Sequence, residues 1–308
     1  MTILLLSTAY AALAAQLNTD ARTSIPRDVQ QLVAIDYRVM QNSSVAMALR
    51  DRVMPADLRV FDQALRKSGL DDEHDVEQLA FALFRTSASG DDMMMVGIAQ
   101  GQFPTQDLLA KFRRQKLKAK LLRTNRIFPM GKTGMVLCFV DPSTMVFGST
   151  AAVIKALDAR DGVTQNLLNN SVMMDAMRTV DYEPLWSILD QKGTQIMMRQ
   201  VLGEAGSITD YESVRKRLQA SWYGMNFQHG VHFDLTISTG DTFAAATVSS
   251  LLNAAVVLRK MSASDIEKQV LSSTSIASSA GKIGIHFRAS DDQFAGLLKS
   301  PLFQSMVH

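Results

Sequence analysis

Apolar and polar positions along this chain recur with two periods, and the change from one to the other marks the elements. Alternation, or short runs rich in β-branched and apolar residues, predicts strands at Gln31–Tyr37, Glu77–Thr86, Asp92–Gln100, Arg126–Met130, Gly134–Val140 and Thr144–Gly148. Further strands are expected at Pro184–Leu189, Ser221–Phe227, Val231–Ser238 and Lys282–Ala289. Helical spacing with caps predicts helices at Ser44–Arg50, Asp57–Lys67, Thr105–Gln115, Ala151–Ala159, Thr194–Leu202, Phe243–Lys260, Ser264–Ser273 and Asp292–Leu298. Ser149 and Asp241 stand at N-cap positions, and Ser68-Gly69 ends a helix. Asp141-Pro142-Ser143 is turn chemistry between two strands, and Ser87–Asp91 is the expected link of a hairpin.

Each half of the chain reads strand, helix, hairpin, helix, further strand, helix. The fold class expected is therefore α+β, with two pseudo-repeated units, each an antiparallel-rich sheet with helices on one face. The units would be residues 17–162 and 163–308, divided at Asp161-Gly162. In the second hairpin Val231, Phe233, Leu235 and Ile237 point one way, and His232, Asp234, Thr236 and Ser238 the other. Such a sheet needs helices on only one face, and its other face meets water or a partner.

Residues 1–16 carry an apolar core, Ile3–Ala15, with a small-x-small site at Ala12-Leu13-Ala14. This suits a signal peptide, although no Lys or Arg precedes the apolar core; a plain apolar helix is the alternative, and with it a cytoplasmic protein. Residues 17–24 read as a polar tether, with ordered structure from Ile25-Pro26. No uninterrupted apolar run reaches the ~18–20 residues of a membrane span.

The segment Ile25-Pro26-Arg27-Asp28 leading into the first strand, Asp72–Asp75 before the hairpin, and Thr144–Gly148 followed by Ala151–Asp158 together resemble a bacterial envelope family of α+β proteins of unknown function, anchored by a signal or a lipid. The resemblance covers about the first 160 residues. It implies an extracytoplasmic protein, periplasmic or secreted, and brings no catalytic residues. This chain departs from many members in having no lipid-anchor cysteine.

Composition narrows the function further. Of 308 residues 47% are hydrophobic, and 32 basic residues balance 30 acidic ones to a formal charge of +2. That is a folding composition, and it argues against a globally basic nucleic-acid binder. The single Cys138 excludes an intramolecular disulfide and a cysteine-based zinc cluster, and its apolar strand makes it a buried, inert thiol. Gly131-Lys132-Thr133 ends like a phosphate-binding loop, but the earlier glycine is replaced by Arg126 and a strand follows. His229, His232 and Asp234 are clustered but lack a third dependable metal ligand. No Gly-x-Ser-x-Gly elbow is present, and Ser149 is accounted for as a cap. No cofactor is implied.

The local signal that remains is charge. Lys111, Arg113, Arg114, Lys116, Lys118, Lys120 and Arg123, with Arg126 beyond, contain no acid among them. They form either a solvated face or a weak contact surface for an anionic membrane; with only Phe112 interleaved, base stacking is not indicated and nucleic acid is not expected. Eighteen methionines suit both cores and forgiving binding surfaces. The expected function is a non-enzymatic envelope protein that binds a protein or envelope component. A motif-less hydrolase on the His232/Asp234 face and a cytoplasmic interaction module are the alternatives.

Overall fold

A computed structural model describes residues 16–85, 93–202, 211–301 and 303. The expected signal segment and the Ser87–Asp91 hairpin link lie outside the described residues, apart from Gln16. The strands are β1 (Val29–Asp36), β2 (Val76–Arg85), β3 (Met93–Gly101), β4 (Lys120–Leu122), β5 (Asn125–Pro129), β6 (Met135–Asp141) and β7 (Thr144–Ser149). They continue with β8 (Leu185–Leu189), β9 (Leu218–Asn226), β10 (Val231–Thr239), β11 (Ser275–Ser279) and β12 (Lys282–Ala289). All join one antiparallel sheet in the order β11-β12-β10-β9-β8-β1-β2-β3-β7-β6-β5-β4. The fold is mixed α+β, as the pattern of the sequence predicts. The sheet runs without a break across the expected division, because β1 pairs with β8, Leu32 opposite Ile188 and Ala34 opposite Trp186.

The first half has helices on both faces. Its strands are apolar on both sides: Ala80, Ala82 and Phe84 of β2 pack into one core, while Leu79 and Phe81 pack toward another. The first core takes α1 (Thr19–Thr23), α7 (Thr150–Arg160) and α8 (Ser171–Arg178). The second takes α4 (Ala56–Ser68) and α6 (Thr105–Arg114). The expectation of one-sided cover fits only the outer strands of the second half, since β8 buries Trp186 and Ile188 in the first core and Leu185 on its other face. There α9 (Gln191–Leu202), α11 (Thr242–Ser262), α12 (Asp265–Ser272) and α13 (Asp291–Leu297) pack on the side of Phe233, Leu235 and Ile237. Beside them, α2 (Tyr37–Gln41) and α3 (Ser44–Val53) reach across from the first half to meet Leu185 and Met225. Two short helices, α5 (Asp72–Asp75) and α10 (Tyr211–Arg215), complete the set.

Residues 17–24 are no tether. Leu17 just before α1, Ala21 within it and Ile25 just after it are all buried in the core, each at most 2% exposed. Asn18 caps the turn, its Oδ1 accepting from the Ala21 N–H at 2.7 Å. Other caps follow the sequence: Ser149 on α7, Asp241 on α11, Ser264 and Ser290 on α12 and α13. The helix at Thr105 differs, since its N-cap is Pro104 and no side chain caps it. Gly131-Lys132-Thr133 lies in the connection between β5 and β6, with Gly131 and Gly134 at positive φ, and no helix follows it.

Candidate functional site

The surface chemistry gathers in three places: the uncovered face of the second half, the edge of the sheet at β4, and the outer end of α11. On the uncovered face, β10 and β12 place Asp234 directly opposite His286, and the His286 Nδ1 is hydrogen-bonded to the Asp234 carboxylate. Their register also sets His232 beside Asn226 on β9 and Arg288 on β12. Glu183, just before β8, reaches over Gly224, where a Cβ would meet its Cγ at 2.5 Å. Its carboxylate accepts from Asn226 Nδ2 at 3.4 Å. Burial raises the Glu183 pKa above its ordinary value, and the neighbouring Asp234 adds to that, while Asn226 and His232 oppose it.

His232 and Asp234 thus share a face, as their alternation requires, yet the partner of Asp234 is His286. Both members of that pair are more than half exposed, and among the described residues no serine, threonine or cysteine is hydrogen-bonded to the imidazole. Among the described residues no group of three or more His, Cys, Asp or Glu could hold a metal ion. Glu183 escaped the sequence reading because it belongs to another strand connection, and only the order β10-β9-β8 brings it near.

The basic run does not form one helix face. Lys111, Arg113 and Arg114 are exposed on the last turn of α6, Lys116 follows with φ of +56°, and Lys118 and Lys120 lead into the short strand β4. Lys111 folds back over Gly69, where a Cβ would lie 2.0 Å from its Nζ, so its charge sits at the carboxyl end of α4. Arg123 turns away to Asp158 at 2.8 Å and Asp161 at 3.0 Å. Among the described residues the other six form no ion pair.

Helix α11 is the third feature, one the sequence reading passed over when it found no spanning run. Asn253 and several Ser and Thr residues interrupt the apolar pattern, yet the 21-residue helix is long and apolar enough to cross a membrane. Its first half is committed to the protein: Ala244, Ala245, Val248, Leu251 and Leu252 pack on Ile237 and Ile283. In its second half Ala255 still packs on that core, while Val257, Leu258 and Met261 are exposed, Met261 to 80%, beside Arg259 and Lys260. Ile266 of α12 is exposed near by in sequence.

No protein-family model matches the chain, and no curated protein matches it. Solved structures do. Crystal form I of TP0453 is similar over 96% of this chain and 99% of that one, with a TM-score of 0.52 at 10% identity. Crystal form III of TP0453 covers 92% and 98%, with a TM-score of 0.49 at 10% identity. At such identity the likeness shows the fold alone, and it shows it for nearly the whole chain.

Proposed function

We propose that this is a non-catalytic binding protein of the cell envelope, and that the outer end of α11 attaches it to an anionic lipid surface. The observation that carries this reading is the exposed apolar cluster of Val257, Leu258 and Met261 next to Arg259 and Lys260 at one end of the helix. A helix whose first half is locked into the core cannot span a bilayer with the fold intact. It can lie at the interface, where apolar side chains enter the acyl boundary and each nearby cation adds about 1 kcal/mol toward an anionic leaflet. The free cations Arg113, Arg114, Lys116 and Lys118 offer a second, weaker electrostatic contact of the same sign. An apolar protein partner would use Val257, Leu258 and Met261 without needing the anionic charge, so lipid composition separates the two. Extracytoplasmic localisation belongs to the same proposal and rests on the apolar segment Ile3–Ala15.

The test is flotation with phosphatidylglycerol-containing vesicles against pure phosphatidylcholine vesicles. The chain should float with the anionic vesicles at low salt and release as salt rises. Val257→Asp with Met261→Asp should abolish flotation. Replacing Arg113, Arg114, Lys116 and Lys118 with Gln should weaken it, and neither set should lower the melting temperature appreciably, since the sites are exposed. Failure of the wild-type chain to float with anionic vesicles at low salt refutes the proposal.

A further inference from the structure

The outward side of α11 is uncharged along nearly all of its length, and its first turn carries an exposed group that attachment by the outer end leaves unused. Phe243 is 74% exposed. Met261 follows it by 18 positions, about five full turns, so the two project from one side of the helix about 27 Å apart. Thr247, Ser250, Ala254 and Val257 fall between them at three- and four-residue spacing and complete one stripe.

The polar members of this stripe are satisfied within the helix. Thr247 Oγ1 donates to Phe243 O at 2.9 Å, and Ser250 Oγ donates to Ala246 O at 3.0 Å. At the margin, Asn253 Nδ2 donates to Ser249 O at 2.9 Å. Each hydroxyl has one hydrogen to give. Here it is already given to the helix's own backbone, which lowers the cost of taking the group out of water. Charge is absent too: no Asp, Glu, Lys or Arg stands between Asp241 and Arg259. The water-facing side of α4 is built otherwise and exposes Asp57, Arg59, Arg66 and Lys67.

We infer that α11 lies flat in the membrane interface along its whole length, with Phe243 as a second anchor and Thr247, Ser250 and Ala254 against lipid between the two ends. The inference rests on the lipid attachment proposed above. It extends that attachment to the first half of the helix, which turns one side to the core through Ala244, Val248 and Leu252 and the other to lipid. A second copy of the chain fits the stripe less well. Antiparallel pairing of two stripes would carry each Arg259 and Lys260 toward the other chain's Asp241, whose charge is already met by Arg217 at 2.6 Å. An anionic leaflet supplies the counter-charge that a second copy lacks.

The experiment uses the full chain with a polarity-sensitive dye on one introduced thiol at a time: Phe243→Cys, Ser250→Cys, Val257→Cys and, on the uncovered sheet face, Ser275→Cys as the control. Cys138 is buried and stays unlabelled in the folded protein. The vesicles contain phosphatidylglycerol, with and without nitroxide-bearing acyl chains. Dyes at all three helix positions should shift to the blue and be quenched to a similar degree, and the control dye should do neither. A response at Val257 alone would overturn the flat geometry and leave attachment by the outer end standing. No response at any position, in a chain that also fails to float, would remove attachment and geometry together. Phe243→Asp should weaken vesicle binding about ten-fold or more, the loss of one large apolar anchor, with little change in melting temperature because the site is exposed. Unchanged binding of that variant would overturn the role of Phe243. A lipid-free dimer that Phe243→Asp dissociates, with no dye response on vesicles, would assign the stripe to a second copy instead.

Discussion

At the scale of single residues, the core tolerates little change where one side chain lies across another strand. Gly97 on β3 lies beneath the Phe147 ring, and a Cβ there would come within 2.2 Å of the ring's Cζ. Phe147 in turn stacks on Phe61 of α4, with centroids 4.9 Å apart. Gly97→Ala should therefore force the ring off its stack and cost about 1–3 kcal/mol, the usual range for overpacking, read as a fall in the urea midpoint. Cys138 makes a second residue-level case. Burial pushes its thiol up to about 11 from 9.0, with Arg160 opposing and Asp161 adding to the shift. The thiol should resist alkylation in the native protein and react once urea unfolds it. The sign of the linkage follows. The unfolded thiol ionises above pH 9.0 while the folded one stays protonated, so its contribution to stability is complete below pH 9.0 and is lost as pH rises to about 11. The inert character of Cys138 was legible in its apolar strand. The contact of Asp141 with Ser143 was legible as turn chemistry, whereas that of Arg160 with Asn125 was not, because the two lie far apart along the chain.

At the scale of elements, legibility followed local chemistry. Helices with an oxygen-bearing cap and an apolar stripe, such as α7 behind Ser149 and α11 behind Asp241, start within a residue or two of where the sequence places them. The sequence analysis passed over α8 although Asn170 caps it and Met173 and Met177 form its buried stripe, and it passed over two strands whose structure is imposed by a neighbour. β4 is three residues of a cationic run, stranded only because it pairs with β5, and β11 is serine-rich and ordered against β12. These two are the edges of the sheet, and their composition protects them. Unpaired edge strands invite pairing with other chains, and short length, lysine or polar cover discourages it. Lys118 and Lys120 precede the exposed Leu121 at one edge. Replacing both lysines with Val should leave the melting temperature nearly unchanged but shift the protein toward concentration-dependent oligomers, measured by light scattering on a sizing column. A strictly monomeric double variant would show that these lysines do not guard the edge.

At the scale of the whole molecule, the order of elements suggests two units, while the physical connections join them. β1 has β2 on one side and β8 on the other. The largest core mixes Leu32 and Ala34 with Trp186, Ile188, Met173 and Met177, and a second mixes Met40, Val45 and Leu49 with Leu185, Met225 and Phe294. The Ile25–Asp28 segment, noted in the sequence for its resemblance, ties the halves at the chain's midpoint. Ile25 O accepts from the Leu167 N–H at 2.8 Å, and the Arg27 N–H donates to Gln165 O at 3.0 Å. Lys155 Nζ lies 2.7 Å from the carboxylate of Asp28 and steadies the start of β1.

Cutting the chain between Gly162 and Val163 therefore should not release two folded domains. Fragment 17–162 would expose the β8-facing edge of β1 along Gln31–Ile35, together with the core faces of Leu32 and Ala34. Fragment 163–308 would expose Trp186, a fully buried side chain in the intact protein, and lose the cover that α2 and α3 place over Leu185 and Met225. Burying a large apolar side chain contributes about 1.5–3 kcal/mol, and several are uncovered at once against a net stability of about 5–15 kcal/mol for a whole domain. Each fragment alone should lack a cooperative thermal transition and bind a hydrophobic dye. Mixed during refolding, the two should recover the near-ultraviolet signal of a buried tryptophan, because β1 and β8 supply each other's missing edge. A cooperative melt in either isolated fragment would show that half to be a domain in its own right, with the β1–β8 pairing a docking contact between finished units.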